Sequence, residues 1–208
     1  MARTIALLTD FGYVDNYVGI MKGVIRSISP FADIIDINHG IEPGNIISAA
    51  YQLESSFRYF PSNSIFLCVV DPGVGSERLP VAIEAAGKFF VAPDNGLLSY
   101  ILNYEQVTSS VKLDKSNYLN SNISNTFHGR DIFAPVAALI SQKKELIEIG
   151  QPISINELVK LDYSAHYSDS EAIGQVIHYD NFGNLITNIK PSDDGQKKKR
   201  PKDNFCRV

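Results

Sequence analysis

Short apolar runs rich in β-branched residues recur along the chain and alternate with stretches of helical spacing. The apolar runs predict buried strands at residues 5–8, 34–37, 65–70, 81–83, 89–91 and 174–177. Apolar residues three and four positions apart predict helices at residues 17–25, 46–57, 97–102 and 132–140. Strands that are apolar throughout are typical of a sheet covered on both faces. The pattern therefore predicts an α/β fold with a largely parallel sheet flanked by helices.

The character of the sequence changes after residue 189. Residues 190–208 are rich in Lys and Asp, with a Ser and a Gly, and seven Lys or Arg against three Asp give this segment a charge of +4. Such a composition cannot bury enough apolar surface to offset the entropy lost on ordering, so we expect a disordered basic tail over 190–208. Its run Lys197-Lys198-Lys199-Arg200 is either a solvated end or a patch for nucleic-acid binding or localisation.

The rest of the chain is acidic, because the formal net charge of the whole protein is −4 and the tail contributes +4. An acidic body argues against nucleic acid as the main partner and suits a cationic small molecule. No apolar run approaches the roughly 20 residues that span a bilayer, and we expect neither a membrane partner nor a signal peptide. The two cysteines, Cys68 and Cys206, form no disulfide framework, which favours a cytoplasmic location.

Four of the apolar runs end in an Asp that enters a glycine-containing turn: Asp10, Asp71, Asp94 and Asp180. Ligands of open α/β sheets bind beyond the carboxyl ends of the strands, where these carboxylates would form a negative pocket. Such a pocket suits a divalent metal, or an organic cation with sugar hydroxyls. The sequence has no tight Asp-x-Asp or His-x-His cluster, which weakens the metal interpretation. Alternatively, each Asp is simply a good turn or cap residue.

Arg78 and His128 are two further candidates for chemistry. Arg78 follows Asp71 by seven positions, past the glycine-rich stretch 73–76, and His128 precedes a helical pattern. An Asp, an Arg and a His beside one pocket could orient and polarise a water molecule, with the Arg keeping the Asp ionised and the His sharing the proton. The alternative is that Arg78 is a surface residue and His128 an ordinary residue at a helix start.

Five ordered blocks carry a recognisable pattern: LLTDFGYVDNYVG, VVDPGVGSER, APDNGLLS, TFHGRDIFAPVAA and DNFGNLITNI. In this order they resemble the S-adenosylmethionine hydroxide adenosyltransferase family, which is related to the enzymes that make fluoro- and chloro-adenosine. The resemblance runs from about residue 4 to residue 189, or about nine-tenths of the chain.

The resemblance implies hydrolysis of S-adenosylmethionine at the ribose C5′ carbon, which releases adenosine and methionine with no metal or cofactor. It implies that Asp71, Arg78 and His128 activate the water, at positions where the halogenases carry other residues. The other matched residues contact the substrate: Asp10 at the ribose diol, Asp15 and Tyr17 near the methionine end, Asp180 at the methionine ammonium, and Phe182 and Asn184 at the adenine. Carboxylates are suitable counter-charges for a sulfonium and an ammonium, and a neutral thioether leaving group needs no general acid.

The resemblance also implies a homotrimer and a β-rich C-terminal domain after the last block. We expect an N-terminal α/β catalytic-type domain over 1–170 and the start of a truncated C-terminal β domain over 171–189. Because the basic tail follows the last block, we expect the rest of the C-terminal domain to be missing. Two other hypotheses stay open. One is an impaired remnant that at most binds S-adenosylmethionine or adenosine, and the other is a metal-dependent hydrolase that uses the Asp cluster.

Overall fold

The computed structural model describes residues 3–114, 123–168 and 171–189. The chain divides into two units, Met1–Lys160 and Leu161–Val208. The basic tail predicted over 190–208, including Cys206, lies outside the described residues. Within the described ranges, no helix is both long enough and apolar enough to cross a membrane.

The first unit is built on a seven-stranded sheet. Its strands are β1 (Thr4–Thr9), β2 (Asp33–Asn38), β3 (Ile65–Val69), β4 (Pro80–Ala85), β5 (Lys88–Pro93), β6 (Val107–Leu113) and β7 (Gly150–Pro152). They lie in the order β2-β1-β3-β5-β4-β6-β7, and the first four are parallel neighbours. The predicted α/β class, with a largely parallel sheet flanked by helices, is confirmed. Strands β4, β6 and β7 pair antiparallel, which makes the sheet mixed.

The described residues of this unit also form the α-helices α1 (Tyr17–Ile28), α2 (Ile46–Phe57), α3 (Ser99–Tyr104), α4 (Ala134–Ser141) and α5 (Leu146–Ile149). The predicted helix over 46–57 coincides with α2, whose first turn is capped by the Asn45 side chain accepting the Ser48 N–H at 3.0 Å. The predicted helix over 132–140 is α4 preceded by a π-helical turn, Gly129–Phe133. His128 lies immediately before this turn.

The core of the first unit lies on both faces of the sheet. Successive strand residues point to opposite faces, so Ile5 and Leu7 of β1 pack in one apolar cluster with Met21 of α1. Ala6 and Leu8 belong to a second cluster, on the face that α2 covers. All of these side chains are fully buried, and burial of each large one contributes roughly 1.5–3 kcal/mol. Burial on both sides explains why the strand is apolar at every position.

In the second unit, the described residues 161–168 and 171–189 form antiparallel strand pairs. Strand β8 (His166–Tyr167) pairs with β9 (Ala172–Ile173), and β10 (Val176–Tyr179) pairs with β11 (Leu185–Thr187). The strand predicted over 174–177 begins at Val176, and Gly174 makes a close approach to the segment that follows β11. A Cβ atom on Gly174 would lie 2.4 Å from Asn188 Oδ1.

Candidate active site

Two carboxylates leave neighbouring parallel strands on the same side of the sheet. Thr9 at the end of β1 lies opposite Val69 at the end of β3, so Asp10 and Asp71 emerge side by side. Both line a cavity of about 310 Å³ at the carboxyl ends of these strands. The other lining residues are Phe11, Tyr17, Val69, Val74, Thr126, Phe127, His128 and Gly129.

Arg78 binds Asp71 through two hydrogen bonds. Its Nε donates to Asp71 Oδ1 at 3.0 Å, and its Nη2 donates to Asp71 Oδ2. The pair is nearly inaccessible, with 8% of the Arg78 side chain and 5% of the Asp71 side chain exposed. A two-point contact of this kind fixes the plane of the carboxylate as well as its charge.

His128 extends this pair to three residues. Arg78 Nη2 lies 2.7 Å from His128 Nδ1, and the His128 side chain is buried. A guanidinium group can only donate hydrogen bonds, so His128 Nδ1 must accept this one. The neutral imidazole therefore carries its proton on Nε2. Asp71, Arg78 and His128 form one hydrogen-bonded set, which we call the Asp–Arg–His set.

The loop between Asp71 and Arg78 turns the chain back on itself. The Val74 N–H donates to the Asp71 carbonyl at 3.2 Å, and the Ser76 N–H and hydroxyl both donate to the Gly73 carbonyl. Gly75 has a φ of +80°, and a Cβ atom there would lie 2.6 Å from the Asn125 carbonyl oxygen. The loop is thus held against the segment that precedes His128, which brings Arg78 to both partners.

We expect Gly75→Ala to destabilise the protein more than Gly87→Ala does. Both glycines have a positive φ, which costs an alanine about 1–2 kcal/mol, but nothing lies within 4 Å of a Cβ atom on Gly87. The clash with Asn125 should add at least about 1 kcal/mol at Gly75. Urea unfolding measures both losses, and equal losses would show that the Asn125 contact carries no such constraint.

Asp10 carries a charge that Arg78 does not compensate. Its Oδ2 accepts the Gly44 N–H at 2.8 Å, and among the described residues it makes no ion pair. Burial raises the pKa of Asp10, the Gly44 bond and its own N–H oppose the rise, and the neighbouring Asp71 charge adds to it. A cationic ligand would therefore be attracted to Asp10 in particular.

Aromatic side chains form one wall of the cavity. The ring centroids of Phe11 and Tyr17 lie 5.9 and 5.0 Å from that of Phe127, in edge-to-face arrangements. Gly129 permits this packing, because a Cβ atom there would lie 3.2 Å from the Phe127 ring and 3.1 Å from Met21 Sδ. The cavity thus combines an apolar wall with a charged one.

The remaining predicted residues of the first unit differ in position. Tyr17 lines the cavity, whereas Asp15 is exposed in the preceding loop and does not. Asp94 also does not line the cavity, because its Oδ1 accepts the Val159 N–H at 2.9 Å. Of the strand-end carboxylates in this unit, the structure brings Asp10 and Asp71 together and gives Asp94 a role in its own turn.

The second unit contains Asp180, Phe182 and Asn184 in the turn between β10 and β11. Asp180 Oδ1 accepts the backbone N–H groups of Phe182 and Asn184 at 2.9 and 2.8 Å, and its Oδ2 accepts the Asn184 side-chain amide at 2.6 Å. Asp180 therefore organises this turn. The turn presents Phe182 to solvent with 91% of the residue exposed.

Asn95 is a supporting residue that the sequence analysis did not single out. Its Nδ2 donates to the Val70 carbonyl at 2.9 Å, and its Oδ1 accepts the Leu97 N–H. It thus holds the end of β3 directly before Asp71. The only signal in the sequence was its place in the APDNGLLS block, beside the more conspicuous Asp94.

The part of the chain that the structure describes offers no set of metal ligands for the metal-dependent hypothesis. Across residues 3–114, 123–168 and 171–189, no three His, Cys, Asp or Glu side chains are grouped so that they could hold a metal ion.

The fold and the cavity define an α/β domain that binds a small ligand beyond the carboxyl ends of its parallel strands. Residues 5–150 match the family model described as the SAM hydroxide adenosyltransferase N-terminal domain, and the chain belongs to this family.

The chain is similar to the following three proteins. An (R)-S-adenosyl-L-methionine hydrolase of Methanocaldococcus jannaschii is 42% identical over 195 residues, which cover 91% of this chain and 68% of that protein. The crystal structure of an uncharacterized conserved protein from Thermotoga maritima superposes with a TM-score of 0.83 at 38% identity, over 89% of this chain and 71% of that one. A fluorinase of Actinoplanes sp. matches 91% of this chain and 72% of its own length at 26% identity.

Proposed function

We propose that this protein hydrolyses S-adenosylmethionine to adenosine and methionine by attack of water on the ribose C5′ carbon. The observation that carries the proposal is the Asp–Arg–His set beside Asp10 at one cavity. Greater identity to a protein named (R)-S-adenosyl-L-methionine hydrolase than to one named fluorinase supports water, rather than a halide, as the nucleophile.

The reaction requires little acid–base chemistry from the protein. The water oxygen forms a bond to C5′ while the C5′–sulfur bond breaks, and the bonding pair returns to sulfur as the neutral thioether of methionine. One proton of the water is released. Since the leaving group is neutral, the tasks left to the protein are to place the water in line behind C5′ and to accept its proton.

The Asp–Arg–His set can hold a water molecule in one orientation. Each Asp71 oxygen uses one lone pair for Arg78 and retains another, so Asp71 can accept a proton from the water. His128, with its Nδ1 engaged by Arg78, can donate its Nε2–H to the water oxygen. A water held by one acceptor and one donor has a lone pair left for C5′. Arg78 fixes the orientation of the Asp71 carboxylate and the tautomer of His128.

Asp10 and the aromatic wall of the same cavity would hold the substrate beside this set. Asp10 would accept the two hydroxyls of the ribose diol, and its charge would attract the sulfonium. Tyr17 belongs to the aromatic wall, whose ring faces suit a sulfonium cation. The resemblance supports further contacts with the substrate. Asp15 and Tyr17 would contact its methionine end, Asp180 would bind the methionine ammonium, and Phe182 and Asn184 would contact the adenine.

The chain would be organised in a catalytic domain followed by the start of a second domain. Residues 1–170 would form the catalytic α/β domain and 171–189 the start of the β-rich domain, while the compact units of the chain divide after Lys160. The resemblance supports a cytoplasmic homotrimer that acts on a small molecule, without nucleic-acid or membrane partners and without a metal or cofactor.

Hydrolysis in water labelled with ¹⁸O tests the reaction directly. We expect the purified chain to release adenosine that carries one ¹⁸O atom at its 5′-hydroxyl, measured by liquid chromatography with mass spectrometry, at a rate unchanged by EDTA. Incubation without protein is the control for spontaneous breakdown. Binding of S-adenosylmethionine without adenosine release would favour the impaired remnant. Adenosine without the ¹⁸O label would exclude water as the nucleophile. Inhibition by EDTA would favour the metal-dependent hydrolase.

A further inference from the structure

A buried polar chain runs beneath the turn that carries Asp10. Thr9 is the last residue of β1 and His39 is the first residue after β2, and both are fully buried. Thr9 Oγ1 lies 2.7 Å from His39 Nδ1. His39 Nε2 lies 3.1 Å from Asp36 Oδ1, which is ion-pair distance without the alignment of a regular hydrogen bond. The Thr9–His39 bond is therefore the firm link of this chain.

The donors in this chain point in one direction. The Phe11 N–H donates to Thr9 Oγ1 at 3.3 Å. Partial burial of Asp36 would raise its pKa, but its contacts with Lys22 and His39 outweigh burial and lower the pKa, so Asp36 is the ionised acceptor at the far end. Facing a carboxylate, His39 carries its proton on Nε2, and its Nδ1 accepts the Thr9 hydroxyl proton. We call this chain, from the Phe11 N–H through Thr9 and His39 to Asp36, the His39 relay.

The loop between β2 and α2, which contains His39, also holds the turn around Asp10 through backbone hydrogen bonds. The Gly12 N–H donates to the His39 carbonyl oxygen at 2.7 Å, with Gly12 at a φ of +68°. The Gly44 N–H, from the same connection between β2 and α2, donates to Asp10 Oδ2 at 2.8 Å. The residues on either side of Asp10 are thus tied to the relay, and its carboxylate is tied to the loop that contains His39.

We infer that Thr9 and His39 are positioning residues for Asp10, which orient its carboxylate toward a vicinal diol of the bound ligand. The inference rests on the proposed function, in which Asp10 holds the ribose hydroxyls. A vicinal diol must meet both oxygens of a carboxylate in one plane, so a small rotation of the turn costs a bond. A network that served folding alone would change the affinity for ligands with and without the diol to the same extent.

Calorimetric binding of adenosine and of 2′,3′-dideoxyadenosine to the full chain tests this. We expect the wild-type protein to prefer adenosine by roughly tenfold or more, the effect of at least one charge-assisted hydrogen bond. Thr9→Val keeps the shape of the side chain but removes the hydroxyl, and should reduce this preference to about twofold. Thr9→Ser restores the hydroxyl and should recover the preference.

Two substitutions of His39 make the same comparison without touching β1. The side-chain oxygen of His39→Asn can take the place of Nδ1 and accept from Thr9, whereas the amide of His39→Gln reaches the Nε2 position. Asn should therefore keep the preference for adenosine and Gln should lose it, which decides the matter if Thr9→Val does not fold.

An unchanged preference in Thr9→Val or in His39→Gln would overturn the positioning role and leave the proposed function intact. A wild-type protein that binds adenosine and the dideoxy compound equally would overturn the role of Asp10 itself, and the inference with it.

Discussion

Replacing Asp71 by Asn is expected to lower the rate of adenosine formation by at least about a hundredfold. An asparagine cannot take up the proton of the attacking water, and its amide group would present a donor to the Arg78 guanidinium, which can only donate. The water would lose its acceptor and His128 would lose the guanidinium orientation that sets its tautomer. Chromatographic measurement of adenosine at saturating S-adenosylmethionine gives the rate.

Asp94→Asn is the matched control for this variant. Asp94 also follows a strand of the central sheet, but among the described residues its carboxylate accepts the Val159 N–H, which an amide oxygen can accept as well. We expect its rate to stay within about twofold of the wild-type rate. Breaking a buried ion pair costs about 3–5 kcal/mol, so rates should be compared at a temperature where thermal melts show Asp71→Asn to be folded. Equal rates in Asp71→Asn and the wild type would show that Asp71 is not catalytic.

Replacing His128 by Asn or Gln is expected to show whether its ring donates a hydrogen bond to the water or acts as a general base. An Asn oxygen can occupy the Nδ1 position and accept from Arg78, but it leaves nothing at the Nε2 position. A Gln amide reaches the Nε2 position and can donate to the water. If His128 acts as a donor, Gln should retain activity within about tenfold of the wild type, while Asn and Ala should lose about a hundredfold.

The opposite pattern would assign His128 a different role. A general base must take up the proton of the water and release it again in each turnover, which an amide cannot do, so Gln would then be as inactive as Ala. The pH dependence of kcat/KM supplies a second measurement, because a histidine base would add an acid limb that both amide variants abolish. Either result would contradict the tautomer assigned from the Arg78 bond.

The place of Asp10 and Asp71 was predictable because parallel neighbours end at one edge of a sheet, and the apolar runs of β1 and β3 mark those ends. Asp94 shows the limit of that rule. It has the same local pattern, but whether its carboxylate faces a cavity or a backbone N–H depends on residue 159, far away in the chain. Asp180 likewise fits the alternative interpretation as a turn residue, with the carboxylate accepting from its own turn.

Strands β6 and β7 escaped prediction because their sequences lack a continuous apolar run. Val107–Leu113 buries only Val111 and Leu113 and alternates them with polar residues, and Gly150–Pro152 has no bulky apolar residue. They lie at the far side of the sheet, where tertiary pairing rather than composition decides the conformation. The His39 relay was invisible for a related reason, since its members come from two strands whose register only the fold defines.

The π-helical turn Gly129–Phe133 determines the direction in which His128 points around the helix axis, relative to the buried helix α4. A π turn accommodates about one residue more than an α turn, and each α-helical residue advances about 100° around the axis. Since Ala134, Val136 and Ala137 are all fully buried, α4 cannot rotate to compensate for a change in length. Loss of one residue from 130–133 could be absorbed only by closing the π turn into an α turn, and each further residue lost would rotate His128 by about 100° around the helix axis, away from Arg78. The spacing between His128 and α4 is thus a functional character of the chain, as informative in an alignment as the identity of His128 itself.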